Sequence, residues 1–153
     1  MRAFSLSELE APLGAERLGR DLEFTGVTTD SRAVRAGDLF VALQGERFDG
    51  HAYLDQARES GAAAALVSAA ADVSLPQLKV ENTQQALGRL GAYNRSLYTA
   101  PLVAITGSSG KTTVKNMVHA VLARGGETLA TEGYLNNEIG VPLTLLRLRP
   151  NVS

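Results

Sequence analysis

Thr106-Gly107-Ser108-Ser109-Gly110-Lys111-Thr112-Thr113 decides how this chain is read. The apolar run Pro101-Leu102-Val103-Ala104-Ile105 precedes it, and residues 111–124 follow as a helix that Gly125-Gly126 stops. A loop of small residues between a strand and a helix lets backbone N–H groups close around phosphate oxygens, and the helix dipole favours their charge. In that arrangement Lys111 reaches the β- and γ-phosphates of a nucleotide, and the Thr112 hydroxyl is a ligand for Mg²⁺. The strict spacing of such loops asks for glycine where Ile105 stands, so the match is to a shorter variant that turns first at Gly107. The plainer alternative is a strand-to-helix turn with an exposed lysine.

Downstream, Glu127 to Thr131 reads as a second strand and Gly133 to Asn137 as a polar loop. Pro142 then opens a leucine-rich helix, a favourable place for proline. One strand–loop–helix unit and one further strand are too little for a parallel sheet covered on both faces. The chain therefore reads as the front end of a longer protein, with apolar surface left bare after Pro101.

Upstream, Ala86, Leu87, Leu90, Tyr93, Asn94 and Leu97 recur at helical spacing, so residues 83–98 form an amphipathic helix. A boundary falls near Asn82-Thr83, dividing the chain into parts 1–82 and 83–153. The first part reads as a small mixed α/β domain. Ser5 to Leu9 is a capped helical turn, and Phe24 to Thr29 and Leu39 to Leu43 are strands. A helix from His51 to Ser60 leads to a strand at Ala63 to Val67, and Gln77 to Val80 reads as an edge strand. The second part reads as a linker helix and the start of a parallel-sheet nucleotide-binding domain.

Composition narrows the function. Fifteen Lys and Arg against sixteen Asp and Glu leave a net charge of −1, so no basic field recruits nucleic acid or anionic lipid. With no cysteine, disulfides, thiolate zinc sites and thiol nucleophiles are excluded. The 44% apolar content suits a globular chain. Its longest apolar stretch, Gly61 to Ala71, is far below the roughly 20 residues of a membrane span. The N-terminus has no secretory pattern, so the expectation is a cytoplasmic monomer without membrane insertion or nucleic-acid partner.

Two further clusters carry polar chemistry. Thr28-Thr29-Asp30-Ser31-Arg32 and Gln44-Gly45-Glu46-Arg47-Phe48-Asp49-Gly50-His51 both stand at strand ends, where ligands bind. Ordinary turn chemistry is the favoured reading of these residues taken alone, with Asp30 and Asp49 as caps, Arg32 paired with an acid and His51 starting a helix. Gly133-Tyr134-Leu135-Asn136-Asn137-Glu138-Ile139-Gly140 offers adjacent amides that either bind a polar ligand or cap the next helix.

In combination, these clusters resemble the Mur ligase family of peptidoglycan synthesis, over essentially the whole chain. The segment TTDSRAVRAGDLFVALQGERFDGHAYLDQARESGAAAALV is similar to the family's N-terminal UDP-binding domain, and TGSSGKTTVKNM to its ATP loop. NNEIGVPLTLL points to the member that adds D-Ala-D-Ala to UDP-N-acetylmuramoyl-tripeptide. The sister enzyme that adds the third residue would carry threonines where Asn136-Asn137 stand. A non-catalytic nucleotide-binding module is the alternative from another class.

The resemblance implies amide formation through an acyl phosphate, with ATP and Mg²⁺ as cofactors. It places the nucleotide at Gly107, Ser108, Ser109, Gly110, Lys111, Thr112 and Thr113, with Lys111 as the catalytic group and Thr112 on the metal. Asn136 and Asn137 would orient substrate or nucleotide. The uridine end of the substrate falls to Thr29, Ser31 and Arg32 and to Glu46, Arg47 and Phe48. The acidic metal ligand, a carbamylated lysine and the domain for the incoming amine would lie past Ser153, so the chain alone is expected to be inactive.

Overall fold

The computed structural model describes residues 1–132 and 137–150. A five-stranded sheet organises the first eighty residues. It is built from β2 (Glu16–Leu18), β4 (Gly26–Thr28), β5 (Asp38–Val41), β6 (Ala64–Val67) and β7 (Gln77–Lys79), in the spatial order β2-β7-β6-β5-β4. Strands β4 to β7 run parallel, and β2 adds antiparallel to β7. A separate two-stranded ribbon pairs β1 (Phe4–Ser5) with β3 (Glu23–Phe24).

Both faces of the sheet are covered, and this explains the unbroken apolar runs at Leu39 to Ala42 and Ala64 to Val67. Leu39, Val41, Ala64, Leu66 and Leu78 point to one side. There they pack with α1 (Leu6–Leu13) and α3 (Thr83–Ser96), through Leu6, Leu9, Leu13, Ala86, Leu87 and Leu90. Phe40, Ala42, Ala65 and Val67 point to the other side, onto Leu54 and Ala57 of α2 (Leu54–Glu59). A turn of 3₁₀-helix, Gly50–Tyr53, leads into α2.

Helix boundaries follow local chemistry. The Ser5 side chain accepts from Glu8 N at the start of α1, and Gly14 ends it in the left-handed conformation. The Asn82 side chain accepts from Gln85 N at the start of α3. Helix α3 also carries α5 (Gly140–Leu145). A Cβ on Gly91 would meet the Pro142 Cα at 2.9 Å, so only glycine lets these two helices approach so closely.

Four expectations are corrected. Gln77 to Lys79 is an interior strand and not an edge, because β2 pairs along its outer side. Glu16-Arg17-Leu18 is too short and too polar to signal that strand in the sequence. Pro101 to Thr106 forms no strand, and Leu102 and Val103 are each 58% exposed. Glu127 to Thr131 forms no strand either. A strand needs a hydrogen-bonded neighbour, and among the described residues neither segment has one. The expected strand between Phe24 and Thr29 is split, with β3 in the ribbon and β4 in the main sheet.

Helix α4 (Lys111–Leu122) has no buried residue, and Val114, Met117, Val121 and Leu122 are exposed along it. The bare apolar surface expected after Pro101 is present. No helix among the described residues is long and apolar enough to cross a membrane.

Candidate functional site

The C-terminal ends of the parallel strands lie along one edge of the sheet, so the loops that leave them gather there. This is where ligands bind in open α/β sheets. Thr29 to Arg32 follows β4, Ala42 to His51 follows β5, and Ser68 follows β6. Helix α3 begins at the same edge, where the Thr83 hydroxyl donates to the Ala42 carbonyl at 2.8 Å in a buried hydrogen bond.

The first loop is a tight polar turn. The Asp30 amide donates to the Thr28 hydroxyl at 3.2 Å, and the Arg32 guanidinium forks onto both Asp30 oxygens at 3.0 and 3.1 Å. Hydrogen bonds from Arg32 hold the Asp30 carboxyl below the usual carboxylate range. Ser31 is buried, and its hydroxyl bonds Gln56 Oε1 on α2 at 3.4 Å. Thr29 is half-buried and Arg32 is exposed. The Arg32 side chain is held by Asp30 in this arrangement, as the turn reading expects.

The second loop is a closed hairpin. Gln44 bridges Asp49, and the Gly45 amide donates to the Phe48 carbonyl at 2.7 Å. Glu46, Arg47 and Phe48 form its exposed tip. The Phe48 ring stacks on Tyr53 with centroids 5.4 Å apart and planes 17° from parallel, and both rings remain open to solvent. The bond from Ser31 to Gln56 thus brings the first loop to the helix that follows the second.

The third element is the glycine loop. Gly110 is the residue before α4 and takes φ +74°, a left-handed value that suits glycine. The Gly110 carbonyl accepts from Val114 N, so the helix is fully formed from Lys111 onward. No side chain caps this helix start, which leaves its first amide protons for an outside acceptor. Residues 107–113 are exposed throughout, and the Lys111 stem passes over Gly107. Gly107, Ser108, Ser109, Thr112 and Thr113 therefore present small side chains and backbone around one helix N-terminus.

Asn137 caps a helix, since its Oδ1 accepts from Ile139 N at 3.1 Å and Gly140 N at 2.7 Å. It also lines a cleft of about 730 Å³ with Asn82, Gln84, Gln85, Gly88 and Glu138, between the starts of α3 and α5. Gln84 Nε2 closes one side of this cleft on Glu138 Oε2 at 2.6 Å. Asn136 lies outside the described residues. Among the described residues, no group of three or more His, Asp or Glu side chains could hold a metal ion.

Sequence reading missed three members of the sheet-edge cluster: Tyr53, Gln56 and Ser68. The paired aromatics Phe48 and Tyr53 were visible as residues, but their stacking depends on the turn between them. His51, read as a helix start, has a larger part. Its Nδ1 lies 2.6 Å from Asp49 Oδ1, and its Nε2 accepts from Ser68 N at 3.0 Å.

Comparison with known proteins agrees with this architecture. The model of the "Mur ligase family, catalytic domain" matches residues 23–95, and that of the "Mur ligase middle domain" matches residues 105–153. The chain is 53% identical to the UDP-N-acetylmuramoyl-tripeptide–D-alanyl-D-alanine ligase of Escherichia coli K12, over 98% of its own length and 33% of the relative's. The crystal structure of MurF from Acinetobacter baumannii superposes with a TM-score of 0.93 at 39% identity, over 99% of this chain and 34% of that one. MurF from Thermotoga maritima in complex with ADP superposes with a TM-score of 0.72 at 36% identity, over 79% of this chain and 28% of that one. The chain thus spans about a third of the length of the relatives it matches. Two family models in tandem, together with close likeness in sequence and backbone, establish that the chain belongs to the Mur ligase family.

Proposed function

We propose that the protein to which this chain belongs is an ATP-dependent ligase that joins D-Ala-D-Ala to UDP-N-acetylmuramoyl-tripeptide, and that residues 1–153 supply its uridine site and its phosphate loop. The observation that carries the reading is the glycine loop before α4, with Gly110 left-handed, an uncapped helix start and Lys111 exposed beside it. Backbone donors and one full positive charge converge where phosphate oxygens would sit. The D-Ala-D-Ala reading is preferred to the sister ligase because relatives at 53% and 39% identity carry its name.

The chemistry follows from what the side chains can do. ATP supplies a transferable γ-phosphoryl group, which turns the tripeptide carboxylate into an acyl phosphate open to attack by an amine. Lys111 neutralises charge on the transferring phosphoryl group, and the amides of residues 107–113 hold the remaining phosphate oxygens. The Thr112 hydroxyl would hold Mg²⁺, which would neutralise charge on the phosphates. Ser31, Arg32 and the tip Glu46-Arg47-Phe48, with Thr29 beside them, hold the uridine end. Asn136 and Asn137 orient substrate or nucleotide. Residues 1–82 form the UDP-binding part and 83–153 the ATP-binding part, with α3 as the helix both share. Dependence on ATP and on a nucleotide-linked peptide places the protein in the cytoplasm.

The test is phosphate release by the ligase that carries this chain, given ATP, Mg²⁺, UDP-linked tripeptide and D-Ala-D-Ala. Release is expected only with all of them present, and not when D-Ala-D-Ala is replaced by a single diamino acid. The 153-residue chain alone should release none. Release with the diamino acid in place of the dipeptide would transfer the assignment to the sister ligase.

A further inference from the structure

His51 ties together the ends of two strands. Its side chain is only 14% exposed, although the loop before it is open to solvent. The Ser68 amide donates to Nε2 at 3.0 Å, so Nε2 carries a lone pair and the ring proton resides on Nδ1. That proton points at Asp49 Oδ1, 2.6 Å away, which also accepts from the His51 amide at 2.9 Å. Asp49 in turn closes the hairpin as the bridge partner of Gln44. At the root, the Gly50 amide donates to the Leu43 carbonyl at 2.7 Å. Beyond that root bond, the imidazole is the side chain that anchors the hairpin to a neighbouring strand, since Ser68 directly follows β6. The residues between its anchors include Glu46, Arg47 and Phe48, and Phe48 stacks on Tyr53 two positions past the ring.

We propose that His51 is a positioning residue for nucleotide recognition: bridging Asp49 and the Ser68 amide in its Nδ1–H tautomer, it holds the 44–51 hairpin in the shape that receives the uridine diphosphate end of the substrate. The proposal rests on the functional reading above. A hairpin fixed before binding spares the ligand the cost of ordering it, which is how a residue that touches no ligand changes affinity. The two nitrogens do separable work. Asparagine at this position can replace the bond to Asp49, whereas glutamine can place its Oε1 near the Ser68 amide.

The experiment titrates UDP, and separately ATP, into the isotope-labelled chain and its His51→Ala and His51→Gln variants, following amide shifts. In the unmodified chain, UDP should shift Thr29 to Arg32 and Glu46 to Phe48. His51→Ala should bind UDP about tenfold more weakly, and His51→Gln within about threefold of the parent, for a loss of pre-organisation alone. ATP binding should be the same in all three. The ring nitrogens of His51 should show the Nδ1–H pattern, and the Ser68 amide should exchange slowly. Equal UDP affinity in His51→Ala and parent, equal loss in both variants, or an Nε2–H ring would overturn the proposal. If His51→Ala does not fold, the glutamine variant and the ring spectrum of the parent decide. Failure of the unmodified chain to bind UDP would instead defeat the functional reading, and this inference with it.

Discussion

The side-chain amide of Asn94 donates to the Leu145 carbonyl at 2.8 Å, with a second contact to the Leu148 carbonyl at 3.4 Å. Asn94 is completely buried on α3, and the carbonyls it meets are those at the end of α5. The last carbonyls of a helix need partners, and here the amides of Leu146, Arg147 and Leu148 supply most of them, while Asn94 adds a buried side-chain donor from the neighbouring helix. Beside it, Gly91 admits Pro142.

Removing that amide should loosen α5 from α3. Asn94→Ala removes the side-chain donor and leaves the Leu145 carbonyl with only the Leu148 amide at 3.2 Å, at a cost of about 0.5–1.5 kcal/mol. Urea unfolding should record the loss, and hydrogen exchange should place it at residues 140–148. Unchanged exchange there would show that the asparagine is not what holds α5.

Lys111 is exposed, so Lys111→Ala should leave stability within about 0.5 kcal/mol of the parent. Under the proposed function, its loss should nevertheless lower phosphate release by the full-length protein by roughly 10²–10³-fold, the scale for removing one preorganised charge-stabilising group. Thermal unfolding and a phosphate assay together test this. Normal turnover with a normal fold would remove Lys111 from the mechanism.

The acid limb of stability should carry a signature of Glu8. Arg2 chiefly, and then the Tyr93 hydroxyl at 2.8 Å, hold the Glu8 carboxyl below its ordinary range. A carboxyl depressed on folding contributes stability that is present above its unfolded value and disappears as pH falls through the folded one. Glu8→Gln should therefore flatten the decline in stability between the ordinary glutamate range and lower pH, while changing little of the slope at neutral pH. Denaturation midpoints measured across that interval would check it, and an unaltered acid slope would reject it.

Residues 101–132 should exchange amide protons faster than residues 24–67. No residue of α4 is buried, whereas β5 and β6 are buried along their whole length. Exchange mass spectrometry distinguishes the two segments directly. Equal protection would mean that α4 has a packing partner in solution.

Much of this architecture was readable from residue order, because local chemistry decides it. Continuous apolar runs at Leu39 to Ala42 and Ala64 to Val67 mark strands covered on both faces, and the Asn82 cap marks the start of α3. Gly110 followed by Lys111 and two threonines marks a helix N-terminus that can accept phosphate. Each of these signals lies within a few residues of the feature it specifies. Pairing does not. The three residues of β2 form a strand only because β7 lies beside them, and Leu102 to Ile105 has strand character without a neighbour to pair with among the described residues. The bonds from Ser31 to Gln56 and from His51 to Ser68 join residues 25 and 17 positions apart. Composition contains no trace of them, because a hydrogen bond between distant residues exists only after the strands that carry them have set their spacing and register.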